Sequence, residues 1–89
     1  MQVTAKHILV QTLNEATELH NKIVEGQDFS QLAAKFSKCP SGAQGGNLGA
    51  FGRGAMVKPF EDATFALDVG GLSNPVQTQF GYHLIQRTA

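Results

Sequence analysis

The chain has 89 residues, of which 42% are hydrophobic and 16% charged, and its seven basic residues balance its seven acidic ones. This composition is typical of one globular domain, residues 1–89, and argues against general nucleic-acid or membrane-surface binding, which needs a basic excess. A single cysteine forms no intramolecular disulfide, and no stretch approaches the ~20 apolar residues of a membrane span, so we expect a cytoplasmic protein.

The first two elements are predicted to be a strand and a helix. Residues 3–11 are rich in β-branched side chains and apolar on both faces, which indicates a central strand. Thr12, with Glu15 three residues later, matches a capping box. This signature predicts a helix from about residue 13 to residue 25 that ends at Gly26.

A second helix and a glycine-rich loop follow. Asp28, with Gln31 three residues on, is predicted to cap a helix that ends before Pro40. Six glycines then occur between Gly42 and Gly54 and predict a loop. A short apolar interruption at residues 48–51 is predicted to be a brief edge strand.

The third predicted helix has Pro59 in its first turn and the acidic residues Glu61 and Asp62 where the helix dipole favours them. Gly70 and Gly71 are predicted to end this helix. The side chains predicted to face the core are Phe60, Ala63 and Leu67.

Two strands are predicted at the C-terminal end of the chain. Pro75 confines the first, residues 72–78, to a sheet edge because proline cannot donate to the ladder. Phe80 and Gly81 form the turn into the second, residues 82–87. The order of elements predicts an α+β domain with a small mixed or antiparallel sheet.

His7 and His83 lie on the first and last predicted strands, each between aliphatic residues. If these strands are neighbours, one face of the sheet presents both imidazoles within reach of each other. A lone strand histidine is more often structural than catalytic, so the pair carries more weight than either residue alone.

Cys39 precedes Pro40, which keeps the cysteine out of the helical region and places its thiol at the edge of an element, where sites are often built. The alternative is a buried cysteine that packs as a small hydrophobe. A metal site is not expected, because Cys39, His7 and His83 lack the local spacing of metal ligands. A cysteine protease would need a larger body to hold a substrate cleft.

The glycine-rich loop lacks a phosphate-binding signature, since Val57 stands where a dinucleotide fingerprint needs glycine. Four apolar residues could instead line a pocket about the size of one proline ring: Leu48, Met56, Phe60 and Phe80. Ordinary core packing is the alternative for Met56 and Phe60.

Five sequence segments together indicate the protein family more specifically than any single residue does. They are HILV (residues 7–10), FSKCPSG (36–42), GGNLGAF (45–51), MVKPF (56–60) and TQFGYHLI (78–85). In this order and spacing they resemble the parvulin-type peptidyl-prolyl cis/trans isomerases, and the resemblance covers essentially the whole chain.

The resemblance implies a βα3βαβ2 fold, in which a four-stranded antiparallel sheet surrounded by helices carries the two histidines side by side. It implies that His7 and His83 form a catalytic pair with Thr78 in their hydrogen-bond network, and that Cys39 is the polar group facing the prolyl bond. It further implies that the proline ring binds among four apolar side chains, Leu48, Met56, Phe60 and Phe80.

We therefore expect a minimal single-domain parvulin that acts without a cofactor, as a monomer, on proline-containing peptides and on unfolded or folding proteins. Phospho-specific members carry a basic loop between the first strand and the first helix. In this chain the corresponding segment, residues 11–14, is short and uncharged, so phosphoserine-proline specificity is not expected. Members that bind DNA carry a basic N-terminal extension, which this sequence does not show. The alternative function is a non-catalytic proline-peptide-binding or chaperone-like module that uses the same pocket.

Overall fold

The computed structural model describes residues 1–89 and contains four strands, three α-helices and a 3-10 helix. The elements are β1 (Gln2–Val10), α1 (Leu13–Val24), α2 (Phe29–Phe36), the 3-10 helix (Pro40–Gln44), β2 (Asn47–Gly52), α3 (Lys58–Ala66), β3 (Val76–Thr78) and β4 (Gly81–Arg87). The strands form one antiparallel sheet in the order β2-β1-β4-β3. The predicted α+β class and the βα3βαβ2 order are confirmed, with the 3-10 helix as the third helical segment.

The two central strands, β1 and β4, divide the core into two layers. On one face, Ile8, Val10 and Leu84 pack against buried residues of α1 and α2. On the other face, Val3 and Ile85 belong to a second cluster that α3 covers. Because both faces of β1 and β4 are buried, their alternation places His7 and His83 on the α3 side.

The helix starts follow the predicted caps. Thr12 Oγ1 accepts the Glu15 N–H at 3.2 Å, and the Thr12 hydroxyl donates to the Glu15 carboxylate at 3.0 Å. Asp28 Oδ2 accepts the Gln31 N–H at 3.0 Å. The longest helix, α1, has twelve residues, and no helix is long and apolar enough to cross a bilayer.

The end of α3 differs from the prediction. The helix ends at Ala66, four residues before the glycines that were expected to stop it. Leu67 is already extended, and its carbonyl accepts a hydrogen bond from Arg87 Nη1 at 2.7 Å. The Leu67 carbonyl, which would accept a backbone N–H if the helix continued, thus accepts a hydrogen bond from a side chain of β4 instead.

The buried face of α3 was also predicted only in part. Phe60 is buried as expected, whereas Ala63 and Leu67 are half-buried. Both still pack against the core cluster that contains Phe60, and Thr64 and Glu61 are buried as well. Thr64 is accommodated because its hydroxyl donates to the Phe60 carbonyl at 2.8 Å, so no polar atom is left without a partner.

The strand predicted over residues 72–78 is shorter, although its edge position is confirmed. Regular pairing begins only at Val76, after Pro75, which has no N–H to donate. Before the proline, the Ser73 N–H donates to the Ile85 carbonyl at 2.8 Å and the Ser73 hydroxyl accepts the Ile85 N–H at 3.0 Å. The Ser73 hydroxyl therefore accepts the Ile85 N–H, which a backbone carbonyl would accept in a regular ladder.

Gly46 marks the closest approach of the glycine-rich loop to the central strand. Its carbonyl accepts the His7 N–H at 2.9 Å, and a Cβ added at this position would overlap the His7 carbonyl oxygen. Its φ of +82° also disfavours any side chain. Gly49 has a similar φ of +73° but open space around it.

These two glycines make a matched pair of alanine substitutions. Gly49→Ala is expected to lower the free energy of unfolding by about 1 kcal/mol, the cost of the left-handed conformation alone. Gly46→Ala is expected to lower it by about 3 kcal/mol or more, because the added methyl group must also displace the backbone at His7. Urea unfolding measures both values. Equal losses would contradict the close approach.

Candidate active site

The site is built around two histidines on adjacent strands. In the β1–β4 register His7 lies opposite Ile85 and His83 opposite Leu9, so the imidazoles are diagonal neighbours on one face of the sheet. Their Nδ1 atoms are 3.0 Å apart, and the two rings meet edge to edge, with centroids 5.2 Å apart and planes inclined by 17°. His7 and His83 are 5% and 4% exposed.

The distance between the two Nδ1 atoms restricts the protonation of the pair. A hydrogen bond of 3.0 Å has room for one hydrogen, so one Nδ1 donates and the other accepts. Burial, together with a smaller effect of the nearby His83, lowers the pKa of His7 from 6.5 to about 4. Burial also lowers the pKa of His83. Both rings are therefore neutral at pH 7.

The second ring nitrogen of each imidazole, Nε2, lies within hydrogen-bond distance of a hydroxyl group. His83 Nε2 lies 2.8 Å from Thr78 Oγ1, which also accepts the Phe80 N–H at 3.2 Å. His7 Nε2 lies 3.1 Å from Ser41 Oγ, and Ser41 Oγ lies 3.3 Å from Cys39 Sγ. Five side chains from three separate segments thus form one hydrogen-bond chain, which we call the relay: Thr78, His83, His7, Ser41 and Cys39.

One set of neutral tautomers satisfies every link of the relay in a single direction. Thr78 accepts the backbone N–H of Phe80, so its hydroxyl hydrogen is free to donate to His83 Nε2. His83 Nδ1–H then donates to His7 Nδ1, and His7 Nε2–H donates to Ser41. The Ser41 hydroxyl donates in turn to Cys39 Sγ. With the Ser41 hydroxyl as the donor to Cys39, this is the assignment that fits every link, and it makes the sulfur a hydrogen-bond acceptor.

The sequence interpretation named four members of the relay and missed Ser41. Ser41 lies two residues after Cys39 in the same Cys-Pro-Ser-Gly turn, which the structure folds into the start of the 3-10 helix. Pro40 at the first helical position and the extended conformation of Cys39 turn the two side chains toward each other. The sequence feature that could have indicated Ser41 is the position of two short polar side chains, Cys39 and Ser41, on either side of Pro40.

Phe60 forms the floor beneath both histidines. Its ring meets the His7 ring edge-on at 5.5 Å and the His83 ring edge-on at 5.1 Å. Phe60 is only 3% exposed and also packs in the core cluster under α3. Core packing and contact with the site, considered above as alternatives for Phe60, therefore hold together.

A groove of about 540 Å³ opens above this floor. It brings together the histidine pair, Cys39 and all four residues predicted to hold a proline ring: Leu48, Met56, Phe60 and Phe80. Thr78 does not line the groove and reaches it only through His83. Lining residues that the sequence interpretation did not name are Leu9, Lys38, Pro40, Ala55 and Val57.

Glu61 fixes one wall of the groove, a role that the sequence did not indicate. Its carboxylate is buried and accepts hydrogen bonds from the Gly54 N–H and, at 3.1 Å, from Arg53 Nη1. The Arg53 guanidinium also stacks 4.4 Å above the Phe65 ring. These contacts anchor the loop between β2 and α3, which carries Met56 into the groove.

The site has no ligand set for a metal ion. No three side chains among the histidines, cysteine, aspartates and glutamates come close enough together to hold one.

Comparison with known proteins gives one consistent result. The family model described as "Rotamase: PPIC-type PPIASE domain" matches residues 4–89. The chain is 48% identical over 88 residues to the foldase protein PrsA of Geobacillus sp. (strain WCH70), covering 98% of this chain and 32% of the relative. It thus spans about a third of the length of the PrsA foldases that it matches.

Two smaller relatives are matched over most of their length. The peptidyl-prolyl cis-trans isomerase Pin1 of Arabidopsis thaliana is 47% identical over 89 residues, with 94% of this chain and 75% of the relative covered. The solution structure of NmPin, the parvulin of Nitrosopumilus maritimus, superposes with a TM-score of 0.90 at 44% identity. That match covers 99% of this chain and 96% of the relative.

The lowered pKa of His7 predicts how stability depends on pH. Between pH 6.5 and about 4 the unfolded chain binds a proton at this histidine that the folded chain does not. The free energy of unfolding should therefore fall as the pH is lowered, by about 2 kcal/mol between pH 7 and pH 5 from His7 alone. Urea unfolding across this range measures the slope.

The control is His20→Gln, which removes a histidine of α1 outside the relay and should leave the slope unchanged. His7→Gln should flatten the slope. A wild-type free energy of unfolding that stays constant from pH 7 to pH 5 would contradict the lowered pKa of His7.

Proposed function

The chain belongs to the parvulin family of PPIC-type peptidyl-prolyl cis/trans isomerase domains, and we propose that it accelerates rotation about Xaa-Pro bonds in peptides and in folding proteins. The observation that carries this proposal is the groove itself. Four apolar side chains surround a space beside the relay, and the histidines and Cys39 form its polar edge. Such a groove suits a proline ring with its amide bond at the polar edge.

Rotation of a prolyl bond is slow because it breaks amide resonance, with a barrier of about 18–20 kcal/mol. The planar amide is more dipolar than the twisted one, since resonance separates charge between oxygen and nitrogen. Removing water from the amide therefore destabilises the planar state more than the twisted state, which lowers the barrier. Phe60, Met56 and Leu48 provide the apolar contacts that would exclude water and hold the ring.

The relay supports a polar rather than a nucleophilic role for Cys39. Isomerisation has no leaving group, so covalent attack on the carbonyl would add a step without dividing the barrier. The Ser41 hydroxyl donates to the sulfur, which fixes the side chain at the edge of the groove. A group that accepts this hydrogen bond preserves the relay, and an aspartate carboxylate does so as well as a thiol.

We propose that activity does not depend on a phosphate group before the proline. Recognition of a phosphate dianion typically uses a cluster of arginine and lysine side chains. Gln11 directly follows β1 and is uncharged, and its side chain donates to the Phe80 carbonyl at 3.4 Å. Arg53 and Lys58, the nearest cations by sequence to Met56, are within 4 Å of acidic residues of α3.

A non-catalytic peptide-binding or chaperone-like module is the second candidate. It is favoured by the exposed Phe80, which is 54% accessible at the mouth of the groove, and by the foldase relatives that are about three times as long as this chain. A binding module would broaden the NMR signals of the peptide on binding, but it would not accelerate exchange between the cis and trans forms of the prolyl bond. The cytoplasmic location and the monomeric state stay predictions from the sequence.

Exchange between the cis and trans forms of a Xaa-Pro peptide tests the proposal directly. At substoichiometric protein concentration, exchange spectroscopy is expected to show faster interconversion than in the peptide alone. Cys39→Asp is expected to keep activity within about tenfold of wild type, because the carboxylate accepts from Ser41. Cys39→Ala is expected to lose more, because it leaves the Ser41 hydroxyl without its acceptor.

Circular dichroism and urea unfolding serve as controls that both variants are folded. No acceleration by the wild-type protein would favour the binding module. Two folded but equally inactive variants would contradict the hydrogen-bonding role of Cys39 and restore the covalent alternative.

A further inference from the structure

The segment between β2 and α3 supplies three of the residues that line the groove: Ala55, Met56 and Val57. Its two ends are fixed, because β2 is paired in the sheet and the Val57 carbonyl accepts the Glu61 N–H at 3.0 Å, the first hydrogen bond of α3. Between these ends, residues 53–56 make no hydrogen bond to another backbone group. A segment with so few backbone hydrogen bonds is expected to open more readily than the strands and helices around it.

Glu61 accepts every hydrogen bond that residues 53–56 make. One oxygen of its carboxylate accepts the Gly54 N–H, and the other accepts Arg53 Nη1 at 3.1 Å. Both bonds go to a charged acceptor that is only 7% exposed, which makes them stronger than bonds between neutral groups. The Arg53 guanidinium is held in turn against the Phe65 ring. We call these three residues the clamp: Arg53, Gly54 and Glu61.

The clamp connects one wall of the groove to its floor. Glu61 directly follows Phe60, whose ring lies beneath both histidines. Met56 lies between Gly54, which the clamp holds, and Val57, which caps α3. Met56 is itself only half-buried against the core cluster under α3. The width of the pocket between the Met56 side chain and the Phe60 ring therefore depends on Glu61.

We propose that Glu61 is a positioning residue for the isomerase: it keeps Met56 against the proline ring and thereby sets the affinity of the groove for proline-containing peptides. The proposal rests on the isomerase function proposed for the same groove. Glu61 does not line the groove and makes no hydrogen bond to the relay. An apolar wall contacts the ring equally in the planar and twisted states of the prolyl bond, so its displacement weakens binding and leaves the rate of the bound peptide unchanged.

The test measures the dissociation constant Kd and kcat for acetyl-Ala-Ala-Pro-Phe-amide by NMR titration and line-shape analysis. Glu61→Gln keeps the size of the side chain but removes its charge and replaces one acceptor oxygen with a donor group. Its Kd is expected to rise about five- to twentyfold, because hydrogen bonds to a charged group are lost, while kcat stays within about twofold of wild type.

Arg53→Gln removes the outer partner of the clamp and is expected to raise Kd about twofold, since the arginine end of the pair is exposed to solvent. The Arg53 side chain is 61% exposed, so this variant tests the clamp even if Glu61→Gln does not fold. Circular dichroism and urea unfolding establish which variants are folded.

A double-mutant cycle measures whether Glu61 acts through Met56. Met56→Ala is expected to raise Kd less in Glu61→Gln than in the wild-type background, because the displaced methionine has already lost its contact with the ring. Leu48→Ala is the matched comparison, since Leu48 lines the groove from β2, outside the segment that the clamp holds. Its effect on Kd should be the same in both backgrounds. A role of Glu61 in stability alone predicts additive effects for both substitutions.

Asp62→Asn is the control for charge. Asp62 is the neighbouring acid on α3 and lies 3.6 Å from the same Arg53 guanidinium, but its hydrogen bond goes to Lys58 and not to residues 53–56. This variant should keep the wild-type Kd and kcat. An unchanged Kd in folded Glu61→Gln would overturn the proposal, as would an unchanged Kd in Arg53→Gln if Glu61→Gln does not fold. A Kd increase that is additive with that of Met56→Ala would also overturn it.

The wild-type protein separates this proposal from the proposed function. If it accelerates exchange and Glu61→Gln keeps its Kd, the positioning role fails and the isomerase function stands. If it binds the peptide without accelerating exchange, the isomerase function fails, and the Kd values of the variants still decide whether Glu61 holds the pocket. If it neither binds nor accelerates, both fail.

Discussion

Two imidazoles buried against each other on one face of a sheet can share only one proton between their facing nitrogens. The 3.0 Å separation of the His7 and His83 Nδ1 atoms imposes this constraint, and burial under Phe60 maintains it by disfavouring the charged forms. Once the shared proton is assigned, each outer nitrogen has a defined role toward a hydroxyl group. The position of Ser41, and through it that of Cys39, follows from the pair.

The constraint links elements that are far apart in the chain. The pair needs β1 and β4 to be neighbours in the observed register, and it needs the 3-10 helix to present Ser41 to His7. Gly46 allows the 3-10 helix and β2 to approach the His7 backbone without a steric clash. The relay holds the polar edge of the groove, whereas Phe80 and Lys38 are exposed to solvent.

Sequence patterns predicted the elements that depend on interactions between residues close together in the chain. The caps at Thr12 and Asp28 and the central position of β1 follow from side chains within a few residues, and all are present in the structure. The early end of α3 was missed because Arg87, twenty residues away, takes the Leu67 carbonyl. Glu61 was interpreted through the helix dipole alone, and its contacts with Arg53 and Gly54 depend on a loop conformation that no periodicity encodes. The meeting of His7 with His83 required the strand order, which the family resemblance supplied and the alternation of residues did not.

At pH 7 both histidines of the pair are neutral and joined by one Nδ1–H hydrogen bond. Long-range proton–nitrogen-15 correlation of the imidazole side chains tests this claim most directly, because nitrogen shifts distinguish the two neutral tautomers from the imidazolium cation. We expect His83 to carry its hydrogen on Nδ1 and His7 to carry its hydrogen on Nε2, with neither ring charged. An imidazolium at either position at pH 7, or two rings that both carry hydrogen on Nε2, would contradict it.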